Sequence, residues 1–213
     1  MGKDEILSLI KSLQSNQKVS SKVKDRMKEF QEMKNKDNKE WFDELCFCIL
    51  TANSSARKGI EIQNYLKNND GFLKFSRDDL IKVLRNFGHR FPEARAEFIE
   101  EARKYSRIKD IITGFKDEFE AREWLVKNVK GIGFKEASHF LRNVGYHNIS
   151  ILDRHILRIF KENGLIDEIP KTLTQRRYKE IEKIFFEIAK EIKVLPSEMD
   201  LYLWYTRTGE VLK

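Results

Sequence analysis

The sequence is poor in the residues that break, staple or anchor a chain. It has two cysteines, Cys46 and Cys48, so an iron–sulfur cluster held by four thiolates is excluded. They lie two apart in WFDELCFCIL, and residues so spaced on a helix point to different faces. They are expected to be buried thiols, not a disulfide or a metal site, in a reducing, intracellular compartment. Three prolines and 10 glycines leave little punctuation, and no pair of alternating segments is joined by an Asn-Gly or Asp-Gly turn. No run approaches the roughly 18 apolar residues of a membrane span. The opening MGKDEILSLIKSLQSN lacks the apolar stretch of a signal peptide, and Ile6 stands where a myristoylation signal has Ser or Thr.

Charge is abundant. Lys and Arg number 41 against 34 Asp and Glu, a net +7, which suits a polyanionic partner without requiring one. Hydrophobic residues at 40%, with 15 Phe and 3 Trp, supply a core and exclude a wholly disordered chain. The apolar periodicity predicts helices near 4–14, 19–34, 39–53, 55–67, 77–86, 92–105, 117–129, 134–144, 154–163, 174–192 and 197–206. Ser76 and Asp79 resemble a capping box, and Pro92 suits a first helical turn. Gly145 and Gly164 are expected to end the helices that precede them. Tyr178, Ile181, Ile184, Phe185 and Ile188 share one face of 174–192. The expectation is a compact all-α protein.

The informative stretch runs from Leu125 to Phe160, LVKNVKGIGFKEASHFLRNVGYHNISILDRHILRIF. A helix ends at Lys130-Gly131-Ile132-Gly133 and a second begins near Phe134. Two glycines so placed permit a tight hairpin and a close approach of backbone to a ligand. The N–H groups opening the second helix favour a phosphate. Ile132 would pin the hairpin to the core. This is the pattern of a helix-hairpin-helix, which grips a DNA backbone without reading sequence. A plain αα-corner explains the glycines equally well. Lys135, in the first turn of the second helix, and Asp153, directly before the helix 154–160, make the pattern more than a corner. Asp153 is also among the best N-cap residues, so a capping role is open.

KGIGFKEASHFLRNVG followed by ILDRHILRIF resembles the helix-hairpin-helix DNA glycosylases. It is more similar still to their compact archaeal and bacterial branch of 8-oxoguanine DNA glycosylase/lyases. ELCFCILTAN (44–53), FGHRF (87–91), DEIPKTL (167–173) and DLYLWYTRTGEVLK (200–213) extend the resemblance to nearly the whole chain. One departure is that no proline stands in the 145–153 loop.

The resemblance implies two α-helical lobes with the active site in the cleft between them. Residues 1–54 with 151–213 would form one lobe, and 55–150 the other, carrying the hairpin at 118–144. It implies excision of 8-oxoguanine with AP-lyase strand cleavage, by a monomer acting on double-stranded DNA in the cytoplasm (nucleoid-associated), without metal or cofactor. Lys135 would be the nucleophile, forming a Schiff base with the sugar. An amine nucleophile must be neutral, whereas free lysine is almost wholly protonated at pH 7. The role therefore calls for burial and positive neighbours, of which Lys130 is one. Asp153 would stabilise positive charge on the sugar.

Base excision requires the nucleotide to leave the stack. Asn53 matches the position of a polar void-filler or contact to the orphaned base, and equally suits a helix C-cap. Gly131, Ile132, Gly133 and His155 would contact phosphates. Phe91 and Trp204 match the aromatic faces that sandwich the flipped base in this branch, although core packing is the commoner fate of such residues. Lys213 matches a terminal lysine brought into the lesion pocket. Arg57, Lys58, Arg90, Arg95 and Arg142 are candidates to line the DNA groove. Two rival readings are an endonuclease III-like enzyme for another oxidised base and a non-catalytic helix-hairpin-helix module. The first meets the missing cysteines, and the second leaves Lys135 and Asp153 without a joint role.

Overall fold

In the computed structural model, which describes residues 2–213, the periodic segments become thirteen α-helices and a 3-10 turn, with no strand among the described residues. Met1, where the first lobe was expected to begin, lies outside them. The helices are α1 (Lys3–Ser15), α2 (Gln17–Met33), α3 (Asn38–Thr51), α4 (Ala56–Asn68), α5 (Gly71–Lys74), α6 (Arg77–Asn86) and α7 (Pro92–Ala102). After the 3-10 turn Arg103–Tyr105 come α8 (Ile108–Thr113), α9 (Glu118–Asn128), α10 (Phe134–Asn143), α11 (Arg154–Glu162), α12 (Gln175–Glu191) and α13 (Pro196–Thr208). The short α5 and α8 were not anticipated, because four and six residues are too few to show a period. Ser76 caps α6 as expected, its Oγ accepting from Asp79 N at 3.2 Å. Gly145 and Gly164 follow α10 and α11 with positive φ.

The chain divides into two units: a terminal one, residues up to Glu32 with Gly145–Lys213, and a central one, Met33–Val144. The sequence grouped α3 with the terminal helices; it lies instead in the central unit, packed against α4, α7, α8 and α10. The reason is its composition. Every residue from Trp41 to Thr51 is buried, and a helix apolar all round needs neighbours on every side. Cys46 and Cys48 are both buried and free. The two buried acids of this helix find partners: Gln63 Nε2 donates to Glu44 Oε2 at 3.1 Å and Asn143 Nδ2 to Glu44 Oε1 at 2.7 Å, and Lys39 Nζ lies 3.4 Å from Asp43 Oδ2.

In the terminal unit α13 is the helix on which α1, α11 and α12 pack. Tyr178, Ile181, Phe185 and Ile188 are buried along α12 as the sequence pattern requires, and Phe185 stacks on Phe160 with centroids 6.0 Å apart.

Candidate active site

The hairpin between α9 and α10 is built from two glycines with different duties. Gly131 has φ 82°, and a methyl group there would stand 2.3 Å from Phe98 Cδ2. Only glycine combines that conformation with that contact. Gly133 is in extended backbone, φ −98° and ψ −175°, which any residue adopts. It is the N-cap of α10 and, having no side chain, leaves the first-turn N–H groups uncapped. Between them Ile132 is 5% exposed and hooks the hairpin to the core. From within, Arg122 donates to Ser138 Oγ at 3.2 Å and lies over the rings of Phe119 and Phe134, tying α9 to α10.

Lys135 occupies the first turn of α10, half-buried, with Nζ 3.4 Å from Glu136 Oε1. The other oxygen of Glu136 accepts from Gly133 N at 3.3 Å, so one carboxylate touches both the amine and the hairpin backbone. Lys130 is committed elsewhere: its Nζ pairs with Glu97 and, at 2.8 Å, with Glu101. Those carboxylates hold its ammonium above the ordinary lysine range. Its charge is therefore matched rather than bare.

In the terminal unit, Asp153 is half-buried and caps α11. Its Oδ1 accepts from His155 N at 2.8 Å and Ile156 N at 2.9 Å. Both cap bonds fall on one oxygen, so capping leaves Oδ2 for another partner. The strand of loop before it is held from α12. Tyr178 donates its hydroxyl proton to Ser150 O at 2.8 Å and accepts from Leu152 N at 3.3 Å, and Ser150 Oγ donates to buried Glu182 at 2.8 Å. The apolar period of 174–192 marks Tyr178 as a core residue only. An Asn-Ile-Ser-Ile-Leu-Asp loop whose backbone groups lack helical partners was the available signal.

His155 and Trp204, from α11 and α13, meet as half-buried rings 6.2 Å apart and nearly perpendicular. After α13, Gly209 turns left-handed and Arg26 donates to Val211 O at 3.5 Å, which fixes the segment ending at Lys213. In the central unit Phe91 is half-buried, with the guanidinium of Arg90 4.9 Å and that of Arg95 5.8 Å from its ring centroid. Asn53 follows α3 in the left-handed region at φ 58°, with its side chain exposed. Its backbone thus serves the helix end while its side chain faces solvent.

The groove cations divide. Arg57 and Arg90 are exposed. Lys58 is spent on the Gly88 carbonyl at 2.7 Å. Arg95 and Arg142 are inside the protein at 7% and 4% exposure, the first donating to Ala52 O at 2.6 Å and the second to Asn143 Oδ1 at 3.1 Å. Neither lines a surface groove, because each is needed to satisfy a buried acceptor. Among the described residues no cluster of His, Cys, Asp and Glu has a metal-binding arrangement.

A family model described as 8-oxoguanine DNA glycosylase matches residues 23–194. The chain belongs to that family. Among its relatives is the 8-oxoguanine DNA glycosylase/AP lyase of Methanocaldococcus jannaschii, 54% identical over 209 residues, covering 97% of this chain and 100% of the relative. The Thermotoga maritima protein of the same description is 46% identical over 193 residues, 90% of this chain and 91% of that one. Among solved structures, the M. jannaschii glycosylase/lyase in complex with 15mer DNA containing 8-oxoguanine matches with a TM-score of 0.95 and 53% identity, over 98% of this chain and 100% of that one. The T. maritima 8-oxoguanine DNA glycosylase matches at 0.91 and 42%, over 99% and 100%. The all-α helix-hairpin-helix glycosylase fold is therefore that of the family.

Proposed function

We propose that this protein excises 8-oxoguanine from double-stranded DNA and cleaves the strand at the resulting abasic site, with Lys135 as nucleophile. The observation that carries the reading is a half-buried lysine in the first turn of α10, beside a glycine hairpin, in a chain so similar to a glycosylase/lyase complexed with 8-oxoguanine DNA. The Lys135 amine attacks C1′, and the bond from C1′ to the base breaks as the base leaves with a proton. Opening of the sugar ring gives the protonated imine. Loss of a C2′ proton then expels the 3′ phosphate, and water releases the lysine.

Asp153 stabilises the positive charge that develops on the sugar, using the carboxylate oxygen not occupied by the cap. Gly131, Ile132, Gly133 and the uncapped start of α10 take a phosphate, and His155 takes another. Phe91 and Trp204 stack on the flipped base, Asn53 occupies the space it vacates, and Lys213 reaches the lesion. Deleting Lys213 lowers the preference for 8-oxoguanine over guanine more than it lowers non-specific binding; an unchanged ratio sinks its role. Acting on chromosomal DNA, the protein works in the cytoplasm on the nucleoid.

The test is borohydride trapping on a duplex carrying one 8-oxoguanine, with Lys135→Gln and an undamaged duplex as controls. A covalent complex with wild type alone, on damaged DNA alone, establishes the imine, the nucleophile and the lesion together. A complex on an abasic site but none on 8-oxoguanine indicates a lyase for another base. No complex on either leaves only a binding module.

A further inference from the structure

The sequence FGHRF contributes more than Phe91. His89, in the loop between α6 and α7, is 5% exposed, and both its ring nitrogens are engaged. Nε2 lies 2.9 Å from Leu50 O, near the end of α3, and Phe91 N lies 3.1 Å from Nδ1. A carbonyl only accepts and a backbone N–H only donates. Nε2 must therefore carry the proton and Nδ1 must be bare, which makes the imidazole neutral in one tautomer. Arg95 completes the arrangement by donating to Ala52 O at 2.6 Å. The carbonyls closing a helix have no partner in the next turn. Here two of them, Leu50 and Ala52, are taken by side chains immediately before Asn53.

We infer that His89 is a positioning residue for lesion recognition: a neutral, Nε2-protonated imidazole that fixes the Asn53 turn relative to the Phe91 backbone and lets go when it gains a second proton. The inference rests on the roles proposed above for Asn53 and Phe91. A proton on Nδ1 would set two donors face to face at 3.1 Å. The surroundings resist that proton. Burial depresses the imidazole below its ordinary 6.5, against the pull of the Leu50 carbonyl, and the cations Arg95 on α7 and Lys58 on α4 depress it further. Arg95 in turn faces Glu136. With the folded-state value lowered, the clamp is complete above the ordinary histidine range and is lost as pH falls through the depressed value.

Two measurements on the full chain test this. Nitrogen NMR of the wild-type imidazole is expected to show the neutral Nε2–H form at neutral pH, with the Phe91 amide resonance titrating in step with the ring on acidification. A charged ring or the Nδ1–H form at neutral pH, or a Phe91 amide indifferent to the ring, overturns the inference. In His89→Gln the amide retains a donor for Leu50 O but cannot titrate. We expect base release from an 8-oxoguanine duplex to fall about 10-fold, as small displacements of a recognition site do. Strand cleavage at a preformed abasic site should change by less than about twofold, because no base has to be recognised there. The variant should also lose part of the acid-side decline in base release seen in wild type. A wild-type rate and profile in the variant, or equal loss in both reactions, refutes positioning. Should wild type release no 8-oxoguanine at all, the proposed function fails, and the NMR result still decides the state of His89.

Discussion

Lys135 and Asp153 are held by contrasting means. Around the lysine the constraints lie in the shape of the hairpin itself: the left-handed Gly131 packed against Phe98 of α7, the Ile132 hook, and Arg122 hydrogen-bonded to Ser138 across the hairpin. Around the aspartate they are hydrogen bonds from far along the chain, with Tyr178 reaching Leu152 across 26 residues and Glu182 reaching Ser150 across 32. A lysine on a helix start gains its position from the backbone geometry of the hairpin that precedes it. A carboxylate at the end of an irregular loop has no such frame, so a distant helix must supply one. Losing a single atom can therefore loosen the aspartate, whereas the lysine is displaced only by deforming the hairpin.

That contrast can be broken at five places. Lys135→Gln is expected to lower base release and strand cleavage at least about 10³-fold while lesion binding persists; a trapped complex in the variant would assign another amine. Asp153→Asn should slow base release about 10²-fold. Because Asn caps as well as Asp, its unfolding free energy should stay within about 0.5 kcal/mol of wild type, and a normal rate would reduce Asp153 to a cap. Gly131→Ala should cost about 2–3 kcal/mol in denaturant unfolding, from strained backbone plus the clash with Phe98. Gly133→Ala should cost under about 1 kcal/mol, since a methyl there would meet only the movable Glu136 Oε2, at 3.2 Å. Equal losses would show that the hairpin does not depend on the left-handed residue. Tyr178→Phe is the mildest, at about 1 kcal/mol. Its base release should drop more than its cleavage of a preformed abasic site; parallel drops would mean that Tyr178 serves the core alone.

Much of this is legible in the amino-acid sequence. The long helices announce themselves by period, and their ends by Ser76 and the glycines after α10 and α11. The KGIGFK run and its companion motifs named the family. Three things were not legible. The resemblance implies a lobe boundary after α3, yet α3 is buried on every side and so follows its neighbours α4, α7, α8 and α10. Arg95 and Arg142 read as surface cations, since a sequence does not say which guanidinium will be drawn in to satisfy a carbonyl or an amide. His89 stands in FGHRF with no role legible there, because its two partners are backbone groups that carry no signature of their own.

The helical class, the hairpin with Lys135 at its exit, the cap at Asp153 and the family are written in the chain, since each follows from short-range spacing and from residue types suited to one backbone state. Which side chains hold those groups in place emerges from the packing of the helices. Tyr178, Arg122, Glu136, Arg95 and His89 acquire their parts from particular buried donors and acceptors, and which of these lack a partner is settled only when the helices pack.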